Sequence, residues 1–432
     1  MDTVSGNTEC CSRSVSTRRF FRTQTASRAH RRIEINSPSI CASSDRPPVQ
    51  IREIYLDNNA TTLALPEVVE AVTRAMQEGC GNPSSVHTAG ARARTLLGTA
   101  RAQVAAAVAA DPRDVLFTSG ASEANNLVVQ SLIAGPIKGY RLVTSVVEHS
   151  SILTAAEVLE SLGLDVVTLP VDTDGLIDED AFADAIIPGR TLASVQWANN
   201  ETGVVQPIPR LVERAHALGA LFHTDAVQAV GKLPIDVTEV PVDFLSVSAH
   251  KLHGPLGVGA LFAPEKSLLQ SLVFGGTQED SLRPGTENVP GIVGFGVALS
   301  LRHDRFESVA KATREMRDAF ELGLVKRGLV RAINGSGAGR LPGTSNLHFL
   351  GIDGEALTIR LDQMGVRCSQ SSACTNQRPE PSYVLRAMGL TESEAYASVR
   401  FSFSELNTMR DVEDAVEAIA SIHASLARFA VA

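Results

Sequence analysis

A chain of 432 residues, 44% of them hydrophobic, can bury a large core and is long enough for two domains. Its 48 acidic and 39 basic side chains leave a net charge of −9, with no long basic stripe in the body, which argues against nucleic acid and for a small-molecule partner. No apolar run approaches the roughly eighteen residues of a membrane-spanning helix, so no membrane partner is expected.

The first 52 residues read differently from the rest. They are rich in Ser and in Arg (Arg13, Arg18, Arg19, Arg22, Arg28, Arg31 and Arg32), with little apolar periodicity. That composition suits an organellar transit peptide, a disordered tail, or translation assigned to start too far upstream. The six cysteines (Cys10, Cys11, Cys41, Cys80, Cys368 and Cys374) are too few and too unevenly spaced for a disulfide framework. A reducing compartment follows, the cytoplasm first and an organelle if the N-terminus is a working signal. Neither cysteine spacing nor nearby histidines suggest a metal site.

From Tyr55 onward, strand-length apolar runs alternate with helix-period segments, the mark of an α/β domain with a mostly parallel sheet. A helix is expected over Leu65 to Gln77, opened by Pro66. The strands expected are Val115 to Thr118, Leu142 to Val147, Val166 to Leu169, Leu192 to Trp197, Ala220 to His223, Phe244 to Ser248 and Val258 to Phe262. Between them, Ala124 to Ile133, Ile152 to Leu162 and Leu211 to Leu218 carry apolar residues at helical spacing, so the sheet is covered on both faces. After Leu299 the pattern changes to a charged helix (Phe306 to Lys326), a short strand near Asn346 to Phe349, a helix from Gly354 and a closing amphipathic helix from Met409 to Phe429. The chain thus divides into an extension (1–52), a large α/β domain (53–299) and a smaller α+β domain (300–432).

In open α/β sheets, ligands bind beyond the carboxyl ends of the strands. The first expected strand is followed by Ser119-Gly120-Ala121-Ser122-Glu123, a small-residue turn into a helix whose free N–H groups suit a phosphate; alone, it would read as a plain helix cap. Glu148-His149 follows the next strand, placing an imidazole at the same edge. Asn199-Asn200 follows another, and turn chemistry explains only one of the two amides. Asp225 closes an apolar strand, where a lone carboxylate needs a cationic or donor partner. Lys251, at the end of Ser248-Ala249-His250-Lys251, would ordinarily be a solvated surface charge, but it is also the amine type that forms Schiff bases. Phosphate cradle, stacking imidazole, carboxylate and amine together match pyridoxal 5′-phosphate, an electron sink for chemistry at an amino acid's Cα.

With those stretches stand Tyr55-Leu56-Asp57-Asn58-Asn59-Ala60-Thr61-Thr62, Gly81-Asn82-Pro83-Ser84-Ser85, His223-Thr224-Asp225-Ala226-Val227-Gln228, Arg283-Pro284-Gly285-Thr286-Glu287-Asn288, Ser371-Ser372-Ala373-Cys374-Thr375 and Val399-Arg400-Phe401-Ser402. In this order they resemble the class V aminotransferases, and within them the NifS/IscS-like cysteine desulfurases, along nearly all the chain after the N-terminal extension. The resemblance implies a PLP-dependent transferase of fold type I, with a seven-stranded, mostly parallel sheet flanked by helices. It implies that Lys251 carries the cofactor, His149 stacks on the ring, Asp225 meets the ring nitrogen and Gln228 the ring oxygen. Ala121, Ser122, Ser248 and His250 would hold the phosphate, with Thr286 reaching in from the second subunit of a homodimer. Asn200 and Arg400 would hold the carboxylate of L-cysteine, a match for a guanidinium fork.

Cys374 would then take sulfur as a persulfide for an acceptor protein such as an iron–sulfur cluster scaffold, from a mobile loop with polar neighbours. Transamination, selenocysteine cleavage and a non-catalytic sulfur-relay scaffold are the alternatives. Cys368 reads as a bystander or a resolving thiol. Gln370 and the stretch Gln278 to Arg283 depart from the family pattern.

Overall fold

The computed structural model describes residues 52–79, 81–370 and 380–429; Cys374 and its loop lie outside these. In chain order come β1 (Ile54–Tyr55), α1 (Pro66–Glu78), α2 (Thr88–Ala106), β2 (Val115–Thr118), α3 (Ala121–Gln130), β3 (Arg141–Ser145), α4 (Ser150–Ser161), β4 (Val166–Leu169), α5 (Glu179–Asp184), β5 (Thr191–Ser194), α6 (Ile208–Ala217), β6 (Leu221–Asp225), β7 (Phe244–Ser248) and β8 (Gly259–Phe262). There follow α7 (Val289–Asp304), α8 (Phe306–Lys326), β9 (Val330–Ile333), β10 (Thr344–Phe349), α9 (Gly354–Gln363), β11 (Val366–Arg367), α10 (Tyr383–Ala387), α11 (Glu392–Tyr396), β12 (Ser398–Ser402) and α12 (Met409–Phe429).

Seven strands form one sheet in the order β2-β8-β7-β6-β5-β3-β4, parallel throughout except where β8 runs antiparallel to both its neighbours. All seven coincide with strands expected from the apolar runs. Successive side chains alternate between faces, as the strand period requires. Leu116, Leu142, Leu192, Phe244 and Leu261 pack under α3 and α4, while Val115, Phe117, Val143, Phe222, Leu245 and Phe262 pack under α2, α6 and α7. Two buried faces leave the polar groups to the strand ends, and the site forms there.

A second, antiparallel sheet, β12-β10-β9, carries its own core against α8, α9 and α12. There Phe320 lies 4.8 Å from Phe401, centroid to centroid, close enough for a favourable tilted ring pair. β1 pairs in parallel with β11, and Ile54 and Leu56 are buried in this same core. α1 packs against α7 through Leu65, Val68 and Ala298.

Helices α2 and α7 lie outside the elements expected from the sequence. Both bury small side chains: α2 presents Gly90, Ala93, Ala100 and Ala105, and α7 presents Gly291, Gly294, Gly296 and Ala298. A Cβ on Gly296 would strike Ala100, and one on Gly294 would strike Val72 and Pro255, so these helices approach too closely for larger residues. Among the described residues, no helix is long and apolar enough to cross a membrane.

Candidate active site

The carboxyl ends of β2, β3, β5, β6 and β7 open on one cavity of about 380 Å³. Its lining includes Ala121, Ser122, His149, Asn200, Asp225, Gln228, Ser248, His250, Lys251 and Arg400, all singled out from the sequence. Thr286 is exposed and lies outside that lining. Asn59, Ala60 and Gln196 line it as well; the first two stood in a family motif without an assigned role.

At the β2 end, Gly120 is the N-cap of α3 and no side chain caps the helix. Among the described residues no side chain takes up the first-turn N–H groups at this edge of the cavity, which suits an anion. Gly259 on β8 lies so close beneath Gly120 that a Cβ there would overlap its backbone. Glu123 folds back to accept the Ser119 N–H at 2.6 Å and is held by Arg283 Nε at 3.1 Å.

His149 caps α4: its Nδ1 accepts the Ser151 N–H at 3.1 Å, so a neutral ring carries its proton on Nε2. Burial pushes its pKa down; the carboxylate of Asp225 works against this and the nearby Lys251 with it. Asp225, the last residue of β6, accepts the Val227 N–H at 3.0 Å on Oδ1 and Asn125 Nδ2 at 2.7 Å on Oδ2. Asn125 Nδ2 also donates to Ser151 Oγ at 2.9 Å, and that oxygen lies 2.8 Å from His149 Nδ1. One chain of hydrogen bonds therefore holds both the carboxylate and the imidazole. Sequence reasoning missed Asn125, whose only signal is an amide on an apolar helix face.

Lys251 follows β7, and its Nζ donates to the backbone carbonyls of Asn59 and Ala60, each at 2.7 Å. Burial, reinforced by Lys251 and Lys232, pushes His250 down to about 4, so it is neutral, with Nδ1 3.1 Å from Thr61 Oγ1. Arg400 reaches in from β12, almost fully buried, donating to Asp57 Oδ1 at 2.6 Å and Asn200 O at 3.1 Å. Its Nε has no partner among the described residues, a donor suited to an acidic ligand.

Beneath the site, Glu148 is wholly buried. It accepts Ser145 Oγ–H at 2.6 Å and the Gln196 N–H at 2.8 Å, and burial pushes it up to about 8. Cys368 packs against the core of the smaller sheet, and burial pushes its thiol up to about 12. A larger groove of about 990 Å³ reaches Arg302, but that guanidinium is already committed to Gly231 O and Glu405.

The donor set fits pyridoxal phosphate: an uncapped helix start beside Ser122, Ser248 and His250 for the phosphate, Asp225 for a protonated pyridine nitrogen, and Lys251 for the aldehyde. Comparison with known proteins agrees. The chain matches the family described as aminotransferase class-V over residues 54–415. It is 43% identical over 375 residues to a cysteine desulfurase of Sinorhizobium fredii, covering 86% of this chain and 97% of the relative. It is 39% identical over 372 residues to the cysteine desulfurase IscS of Dictyoglomus turgidum, covering 86% of this chain and 94% of the relative. A solved structure of a NifS-like protein superposes with a TM-score of 0.80 at 31% identity, covering 86% of this chain and all of that one.

Proposed function

Because the chain belongs to the aminotransferase class-V family, and within it to the NifS/IscS-like cysteine desulfurases, we propose that it moves sulfur from L-cysteine to Cys374, releasing L-alanine. The family is PLP-dependent; when bound, the cofactor supplies an electron sink that weakens bonds at the substrate's Cα and Cβ. The observation that carries the reading is the meeting of Lys251, Asp225, His149 and Arg400 at one cavity.

In this reading Ala121, Ser122, Ser248 and His250 hold the phosphate, joined by Thr286 of a second copy in a homodimer. Asp225 would meet the ring nitrogen, Gln228 the ring oxygen, and His149 would stack on the ring. Arg400 and Asn200 take the substrate carboxylate, with Arg400 held in place by Asp57. Lys251 would hold the cofactor through its aldehyde and would take the Cα proton of the substrate. The neutral His149 holds a proton on Nε2, within the cavity, for exchange with the substrate thiol. The Cys374 thiolate attacks the substrate sulfur: an S–S bond forms, the Cβ–S bond breaks, and its electron pair stays with the carbon skeleton. Protonation then releases alanine, and the sulfur remains as a persulfide on Cys374. The acceptor would be a carrier such as an iron–sulfur cluster scaffold, and a reducing compartment, the cytoplasm first, would keep the thiol available.

The test is to incubate the purified, cofactor-loaded chain with L-cysteine and reductant and to measure alanine and sulfide together. Equal amounts are expected. Lys251→Ala should lose the visible cofactor absorbance, whereas Cys374→Ser should keep it and release no sulfide. A Cys374→Ser variant with normal turnover would remove the desulfurase reading.

A further inference from the structure

We propose that Lys232 is a positioning residue of this site, fixing the Gln228 amide so that an N–H rather than a carbonyl oxygen faces the cavity. The inference rests on the reading above, in which Gln228 meets the cofactor's ring oxygen. Gln228 is almost fully buried and lies between two fixed groups. On one side Lys232 Nζ stands 2.7 Å from its Oε1; on the other, the Asn59 carbonyl takes a hydrogen bond from its Nε2 at 2.9 Å. A backbone carbonyl can only accept, so the amide NH₂ must face Asn59 and the oxygen must face the lysine. One N–H of the NH₂ is used on Asn59. The second is left for the cavity that Gln228 lines.

Among the described residues, no other bond of the lysine competes for this role. Its other partner, Asn59 Oδ1 at 3.3 Å, is also an acceptor, because Asn59 Nδ2 is committed to Asn200 O and Thr344 Oγ1. Burial, with Arg302, Lys251 and Arg400 facing it, pushes the Lys232 pKa well down. Even a neutral amine keeps two N–H groups, enough for both acceptors, so the orientation of Gln228 survives either protonation state. Lys232 itself does not line the cavity, so it acts through Gln228. A donor aimed at the ring oxygen favours its anionic form, a means by which a protein tunes cofactor electronics.

The experiment is a pH titration of the visible absorbance of the full chain loaded with pyridoxal phosphate. Gln228→Leu removes the donor and should raise the midpoint by about one unit. Lys232→Met should raise it by a similar amount, Lys232→Arg should leave it near wild type, and the Lys232→Met/Gln228→Leu double variant should match Gln228→Leu alone, because one residue acts through the other. Gln228→Glu keeps Lys232 and tests the link even if Lys232→Met does not fold. The lysine should hold the new carboxylate ionised, present an oxygen without a hydrogen, and raise the midpoint above that of Gln228→Leu. A Gln228→Glu midpoint at or below wild type, or an unshifted Lys232→Met beside a shifted Gln228→Leu, would overturn the inference and leave the functional reading intact. A wild-type chain that takes up no cofactor would sink both.

Discussion

Replacing Glu148 by glutamine should remove a specific loss of stability that sets in as pH rises from about 5 toward 8. The carboxyl is wholly buried between Ser145 Oγ and the Gln196 N–H, and its pKa stands near 8 because burial penalises the charged form. The unfolded chain ionises it at the ordinary carboxylate value, so between those two pKa values the folded state binds more protons. Its contribution to stability is whole below the unfolded pKa and is lost as pH rises through the folded one. The slope is about 1.4 kcal/mol per pH unit for a single group, so from pH 5 to 7.5 the wild type should lose about 3 kcal/mol relative to Glu148→Gln. Glutamine imitates the protonated acid, since its carbonyl can accept the Gln196 N–H while its NH₂ donates to Ser145 Oγ. Buried His223 and half-buried His250, each pushed down to about 4 by desolvation, lose stability as pH falls from the ordinary histidine value, but they are common to both proteins and cancel. The assay is urea unfolding at a series of pH values at constant ionic strength. Trp197, the single tryptophan, is buried one residue beyond Gln196 and reports this region. A difference between the two proteins that stays flat within about 0.5 kcal/mol across that range would refute the assignment of Glu148 as a neutral buried acid.

Arg400→Gln should raise the KM for L-cysteine by about 10- to 100-fold, the loss of a charge-assisted hydrogen bond to a carboxylate, which steady-state sulfide release would measure; a change under twofold would place the carboxylate elsewhere. Cys368 should resist iodoacetamide at pH 8 in the native chain and react in urea, read by peptide mass spectrometry, because its thiol is pushed up to about 12. Rapid native labelling would return it to consideration as a resolving thiol.

The seven-stranded sheet was legible because each strand is a short apolar run closed by a polar turn, and the residues at those turns are where an open α/β sheet exposes chemistry. His149, Asp225 and Lys251 stood out as residue types that are costly or unusual there. The helices α2 and α7 did not, since Ala and Gly dilute their buried faces around a few large residues, Leu97 and Val104 in one and Ile292, Phe295 and Leu299 in the other. Asn125 and Lys232 escaped for another reason. Each hydrogen-bonds to other polar side chains, and no spacing in the chain foretells that Asn125 meets Asp225, 100 residues on, or that Lys232 meets Asn59, 173 residues back.

The segment from Ile54 to Thr62 ties two distant parts of the molecule together. It begins as β1 beside β11, passes the Asp57–Arg400 ion pair, and within a few residues offers the two carbonyls that grip Lys251 and the hydroxyl that meets His250. One short cord of backbone therefore links β11 and β12 to the carbonyls that hold the amine. Trimming the amino end has a firm limit for the same reason: a peptidase that cuts past Glu53 severs that cord.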